Sequence, residues 1–380
     1  MSATPPLGHW PGERHAALLH AALDEGSAAV EAWKRWRQAV DFDESDGPEQ
    51  RLLPLAYANL GERIASDPDY GRAKGIYRRA WTHNQLLFNR AAPALAALRE
   101  AGIETMLLKG APLALLHYPS LGARPMADVD VLVGPGRAAD AMRVLRDRGW
   151  AAHDEPGEQV IRFHHSHDFG DGGMGHLDLH WFSLWESSSD APLWERSRPL
   201  TLAGVPSLAP DPADLLLIVS AHGSPRDPVP AFRWVADAAA ICRTAPVDWD
   251  RLVAESHRRN LRVAAAATMG YLRREFGVEV PADVLSALDA ERAPRWERAA
   301  FRAQTAPSSP WRTLQLLRTR HRRMRMIRDE APWHPGVLAF AQAVWGFERT
   351  WELPAHALRR LAGFATGRRE GEANRAGVVR

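Results

Sequence analysis

Apolar side chains recur at helical spacing along the first hundred residues. Ala16, Leu18, Leu19, Ala22 and Leu23 form one stripe, and Ala29, Val30, Trp33, Trp36 and Val40 a second. An acidic, turn-like stretch from Asp43 to Glu49 separates these from Leu52, Leu53, Leu55, Ala58 and Leu60. Helical spacing resumes from Tyr70 to Phe88, and Ala92 to Arg99 runs into Gly102, a helix stop. Residues 1–11 are rich in Pro and Gly and are expected to be loose.

The period changes after Gly102. Ile103 to Leu108 predicts a strand, and Lys109-Gly110-Ala111 a turn into a short helix ending near Tyr118. Ala127 to Val133 predicts a second strand, broken by Gly134-Pro135-Gly136 and followed by an amphipathic helix from Arg137 to Arg148. Trp150 to His153 and Gln159 to His164 are weaker strand patterns. Beyond the turn Asp171-Gly172-Gly173, strict alternation from His176 to Trp181 places His176, Asp178 and His180 on one face.

Helical texture returns at Asp211, an N-cap residue followed by Pro212 at the first helical position. Leu215 to His222, Phe232 to Cys242, Trp249 to His257, Leu261 to Phe276, Ala299 to Ala303 and Trp311 to Ile327 continue it, then Val337 to Trp351 and Ala355 to Phe364. The expected fold class is α+β, a small mixed β-sheet core flanked by N-terminal and C-terminal helical regions. The expected divisions are residues 1–95, 96–210 and 211–380.

Composition narrows the function. In 380 residues, 46% hydrophobic and 25% charged content is ordinary for a soluble globular protein, and a net charge of +2 implies no whole-molecule polyanion partner. Cys242 is the single cysteine, so no internal disulfide or cysteine-based metal cluster can form. The start lacks the pattern of a signal peptide, no apolar run is long enough to span a membrane, and the cytoplasm is the expected compartment.

The candidate chemistry centres on Asp128 and Asp130. Two residues apart on a strand, they project to the same face, and like charges so placed call for a cation between them. Hard oxygen ligands suit Mg²⁺ or Mn²⁺; the structural alternative is a solvated strand end. A turn opening a helix, at Lys109-Gly110, can take phosphate on its backbone N–H groups. Asp178, on a later strand, is the third carboxylate. Three carboxylates can hold two metal ions for in-line phosphoryl or nucleotidyl transfer.

The motif set Leu107-Leu108-Lys109-Gly110, Asp128-Val129-Asp130-Val131 and Leu177-Asp178-Leu179 resembles the nucleotidyltransferase superfamily with the DNA polymerase β-type fold. The fuller wording, Arg124-Pro125-Met126-Ala127-Asp128-Val129-Asp130 and Leu177-Asp178-Leu179-His180-Trp181, is similar to the uncharacterised nucleotidyltransferase family, as are Leu216 to His222 and Phe232 to Asp237. The resemblance spans about residues 90–260. It implies a metal-dependent enzyme, with Mg²⁺ or Mn²⁺ held by Asp128, Asp130 and Asp178. A nucleoside triphosphate, ATP foremost, would lie near Lys109, Gly110, Arg124 and His180. The acceptor would be a small molecule or peptide of a bacterial biosynthetic pathway such as natural-product assembly. Ala111 departs from the superfamily, where serine usually follows the glycine. That leaves phosphotransfer from the same metal site, or a catalytically weak nucleotide-binding scaffold, as rival readings, with a tRNA-modifying toxin as a minor option.

Other residues divide between chemistry and structure. Lys109 can bind phosphate or simply end a strand, and Arg124 can meet triphosphate or pair with Asp128. His164, His165 and His167 match no closed zinc site. His180 and His222 can face the cleft. Arg233 and Asp237, four apart, read as a helix-surface ion pair or an interdomain clamp. The run from Arg318 to Arg328 is expected to be the solvated face of a helix; a nucleic-acid partner is not expected.

Overall fold

The computed structural model describes residues 10–152, 161, 164–184, 189–223, 232–306, 309–325, 349–352 and 355. Among them the chain is α+β, with fourteen α-helices and a seven-stranded mixed sheet. The first helices are α1 (Glu13–Leu23), α2 (Gly26–Ala39), α3 (Gly47–Leu60) and α4 (Tyr70–Glu100). The acidic stretch before α3 caps it: the Asp46 carboxylate accepts from Glu49 N, and the Glu49 carboxylate accepts in return from Asp46 N. Gly102, at φ 67°, follows the end of α4 in the left-handed conformation that glycine adopts without strain.

The sheet contains β1 (Met106–Leu107), β2 (Val129–Leu132), β3 (Ala151–Ala152), β4 (Ser166–Gly170), β5 (His176–His180), β6 (Arg198–Leu202) and β7 (Val205–Ala209). Their spatial order is β3-β4-β5-β2-β1-β7-β6. Between β1 and β2 lies α5 (Gly110–Leu116); α6 (Ala138–Asp147) follows β2, and α7 (Ala191–Glu195) follows β5. β2 pairs antiparallel with β1 and parallel with β5, which places it at the centre. The expected strand at Gln159 to His164 falls almost wholly outside the described residues. β4 instead starts at Ser166 and pairs with β5 across the Asp171 turn, whose carboxylate accepts from Gly173 N and Gly175 N.

The hairpin of β6 and β7 was not expected. Its two-residue turn, Ala203-Gly204, has φ 44° and 86°. Positive φ at both positions matches the twist of the flanking strands, which is why such turns favour Asn-Gly or Gly-Gly and why alanine hides the signal.

The C-terminal helices are α8 (Pro212–Gly223), α9 (Arg233–Thr244), α10 (Trp249–Arg258), α11 (Arg262–Phe276), α12 (Ala282–Ala287), α13 (Arg295–Thr305) and α14 (Pro310–Met324). Asp211 caps α8 as expected, accepting from Ala213 N. The expected helices at Val337 to Trp351 and Ala355 to Phe364 lie almost entirely outside the described residues.

Two large apolar cores result among the described residues, beside a small one around Val263, Ala264, Ala293 and Phe301. Val129, Val131 and Val133 of the central strand join Leu177 and Leu179, and pack with Leu87 and Leu95 of α4 and Ala141 and Leu145 of α6. The other core is continuous from the N-terminal to the C-terminal helices. It joins Leu18, Leu19, Trp33, Trp36 and Leu52 to Leu216, Val235, Ile241 and Leu272. Each such leucine, fully buried, contributes about 1.5–3 kcal/mol.

Candidate active site

Alternation along β2 and β5 turns the valines and leucines to one core and leaves the polar residues on the opposite face. Parallel pairing then sets Asp130 beside Asp178 and Leu132 beside His180. Asp128 lies one residue before β2, half-buried. Across the next pairing Asp178 faces Asp168 of β4, an exposed residue outside the expected set.

Two cationic side chains enter this carboxylate group. Lys109 directly precedes α5, and its Nζ lies 2.5 Å from Asp130 Oδ1 and 3.4 Å from His180 Nε2. His180 is fully buried. Its Nδ1 donates to Phe182 O at 3.2 Å, which turns Nε2 toward Asp178 Oδ2 at 2.8 Å and Asp130 Oδ1 at 3.1 Å. Burial alone would push the His180 imidazole down and the aspartates up. The opposite charges win: His180 is raised to about 9, while Asp130 and Asp178 are held below the ordinary carboxylate range. Asp128 goes the other way, to about 6, because burial and then the Asp130 charge disfavour its ionised form. His222, exposed near the end of α8, is lowered, chiefly by the Lys109 charge.

The oxygens of this group suit a hard divalent cation. Asp130, Asp178 and His180 offer ligand atoms within 4.8 Å of one another. Asp178 Oδ1 is buried and has no hydrogen-bond partner among the described residues, and a buried carboxylate oxygen without a partner is costly unless something else satisfies it. Asp128 likewise forms no hydrogen bond there. A second group, His15, Asp46 and Glu49, has comparable spacing but is used up structurally. Glu49 pairs with Arg14 and accepts from Trp36 Nε1, and Asp46 holds His15 at 2.8 Å.

Arg124 does not pair with Asp128. Its Nε and Nη2 donate to Asp237 Oδ1 and Oδ2 at 2.8 and 2.9 Å, and Tyr118 Oη donates to Oδ1 at 2.6 Å. Arg233 Nη1 donates to Pro125 O at 2.7 Å. Arg233 and Asp237 therefore each bond to residues just before the aspartate strand, and not to one another at the helix surface. Gly110 lies under the same guanidinium: a Cβ there would meet Met126 Sδ at 3.0 Å and Arg124 Nη1 at 3.1 Å.

Sequence reasoning passed over Asn84, a buried amide inside α4. Its Nδ2 donates to Leu121 O and Arg124 O at 2.7 and 2.8 Å, and its Oδ1 accepts from Met126 N at 3.2 Å. Its one signal is a lone amide on an otherwise apolar face. Of the basic run, Arg328 lies outside the described residues; in α14 the Arg322 guanidinium lies over the Trp296 ring at 4.7 Å. No described helix is long and apolar enough to cross a membrane.

Comparison with known proteins gives one family. The profile described as "Uncharacterised nucleotidyltransferase" matches residues 48–277. No curated protein matches the chain. Among solved structures, the antibiotic-resistance factor ANT(2'')-Ia is similar at 14% sequence identity over 51% of this chain and 95% of that one, with a TM-score of 0.34.

Proposed function

We propose that this chain, which belongs to the uncharacterised nucleotidyltransferase family, moves a nucleotidyl group from a nucleoside triphosphate to a hydroxyl or similar acceptor on a small molecule or peptide. The observation that carries the reading is the pairing of Asp130 with Asp178 across β2 and β5, with Asp128 beside them. Asp128, Asp130 and Asp178 would hold Mg²⁺ or Mn²⁺. Bound there, the metal supplies positive charge for the triphosphate and makes an attacking hydroxyl more acidic.

The chain's own groups supply the rest. Asp178 would accept the proton of the attacking hydroxyl. The hydroxyl oxygen then bonds to the α-phosphorus, the bond to the bridging oxygen breaks, and pyrophosphate leaves. His180 holds the two aspartates in register through Nε2, with its own ring fixed by Phe182 O. Gly110 brings the turn close against Arg124 and Met126, and Arg124 acts on the nucleotide side by anchoring the chain that leads into Asp128. ATP is the first nucleotide to try, and assembly of a natural product the first pathway.

The test is the full chain with Mg²⁺, each NTP and candidate acceptors, followed by pyrophosphate release. Turnover lost in Asp130→Ala supports the reading. ADP in place of pyrophosphate would establish phosphoryl transfer, which the same carboxylates support. Unchanged turnover in Asp130→Ala sinks both.

A further inference from the structure

Lys109 has an unusual backbone. Its φ of 45° with ψ of −101° is a conformation that residues other than glycine rarely adopt. Packing and hydrogen bonding must hold it there, and both ends of one neighbour do so. Leu108 N donates to Asp130 O at 3.0 Å, and Lys109 Nζ pairs with Asp130 Oδ1 at 2.5 Å. The lysine is thus drawn in over the aspartate strand, with its side chain largely buried.

The ammonium lies where two in-register carboxylates most need positive charge. Asp130 Oδ1 already receives Lys109 Nζ and faces His180 Nε2. A divalent ion bonds to carboxylate oxygen at about 2.0–2.1 Å for Mg²⁺, and at that oxygen it would meet the repulsion of an ammonium so close. On the other side, Asp178 Oδ1 is bare and Asp128 has no hydrogen-bond partner among the described residues. Asp130 Oδ1 is taken by the protein's own cation, while Asp178 Oδ1 and Asp128 are open.

We propose that Lys109 is a resident cation that takes the place of one of the two divalent ions, so that this site binds a single divalent ion through Asp128 and Asp178. The inference rests on the nucleotidyl-transfer reading above and departs from a two-metal site. It gives Lys109 a role on the carboxylates in place of a direct phosphate contact. The positive φ is then the backbone's share of delivering the ammonium to Asp130.

The test counts ions and does not depend on turnover. Mn²⁺ bound per chain is measured by equilibrium dialysis and by electron paramagnetic resonance. The full chain is saturated in turn with the α,β-methylene analogues of ATP, GTP, CTP and UTP. One Mn²⁺ is expected for the wild type, two for Lys109→Met, and one for Lys109→Arg, which keeps the charge. Two in the wild type overturns the proposal and leaves the nucleotidyl-transfer reading standing. One in both the wild type and Lys109→Met also overturns it, because the lysine would not be what excludes the second ion. No bound Mn²⁺ with any analogue overturns both readings. If Lys109→Met fails to fold, Lys109→Gln, which also removes the charge, is counted in its place: two ions support the proposal and one overturns it.

Discussion

Arg124 and Asp237, 113 residues apart, form a bidentate ion pair that is almost wholly buried, at 4% and 5% exposure. The pair ties the chain entering β2 to α9, so the position of Asp128 depends on a helix far along the sequence. Removing one partner leaves the other charge buried and alone, which costs about 3–5 kcal/mol. Asp237→Ala is expected to lower unfolding stability by that amount in chemical denaturation. A change under 1 kcal/mol would mean that the pair is dispensable.

Acid should weaken the same contact. Burial alone would raise the Asp237 carboxyl, but Arg124, with help from Arg233 and Tyr118, holds it below the ordinary range. Glu49 is lowered in the same way, by Arg14 and Trp36 acting against burial. A depressed folded-state pKa contributes stability that is fully present above the unfolded value, near 4, and is lost as pH falls toward the folded one. Denaturation midpoints measured from pH 7 to pH 3 should fall below about pH 4, and less steeply in Asp237→Asn. Equal slopes in the two proteins would rule this out.

Gly110→Ala tests the close approach under Arg124. The added methyl meets Met126 Sδ and Arg124 Nη1. The thioether can turn aside; the guanidinium, fixed by Asp237, cannot. Overpacking of this kind costs about 1–3 kcal/mol, and thermal unfolding should show it. Met126→Ala in the same chain should recover part of the loss, since it removes one of the two obstructions.

Asn84→Leu leaves two carbonyls and one N–H near the aspartate strand without partners. Each buried polar group left unmade costs about 1–3 kcal/mol. The variant should lose stability. Pyrophosphate release per folded molecule should also fall, because the strand entrance loosens. Turnover equal to wild type per folded molecule would limit Asn84 to a structural role.

Asp178 and Asp168 face each other across β4 and β5 but should differ in effect. Asp178→Asn should lower kcat by about 10²–10⁴-fold, the contribution of a positioned acid–base group. Asp168→Asn, at an exposed position, should stay within about twofold. Similar losses in both would shift the site toward β4.

What the sequence disclosed followed from short-range patterns. The β2 strand with its two aspartates, the alternation on β5, the stop at Gly102 and the start at Asp211 each rest on neighbours within a few residues. Arg124 shows the limit. Its nearest carboxylate in sequence is Asp128, whereas its partner in space is Asp237. Nothing local distinguishes the two, because the choice is made by packing α9 onto the chain before β2. Asn84 was hidden for the same reason: its three bonds reach 37 to 42 residues ahead. The β6–β7 hairpin was hidden by its prolines, Pro199 and Pro206, and by an alanine in a glycine-type turn.

The core shared by the first and last helices has a consequence during synthesis. Arg243 Nη1 donates to Leu23 O across 220 residues, and His15 and His20 of α1 lie against Phe232 and Phe276, made almost equally late. At about 5–20 residues per second, the ribosome leaves the opening helices waiting roughly 10–40 s for their partners. Through that interval their apolar stripes are open to any passing chaperone or to other nascent chains, and the yield of folded protein should track translation speed and chaperone supply more closely than the stability of the finished molecule.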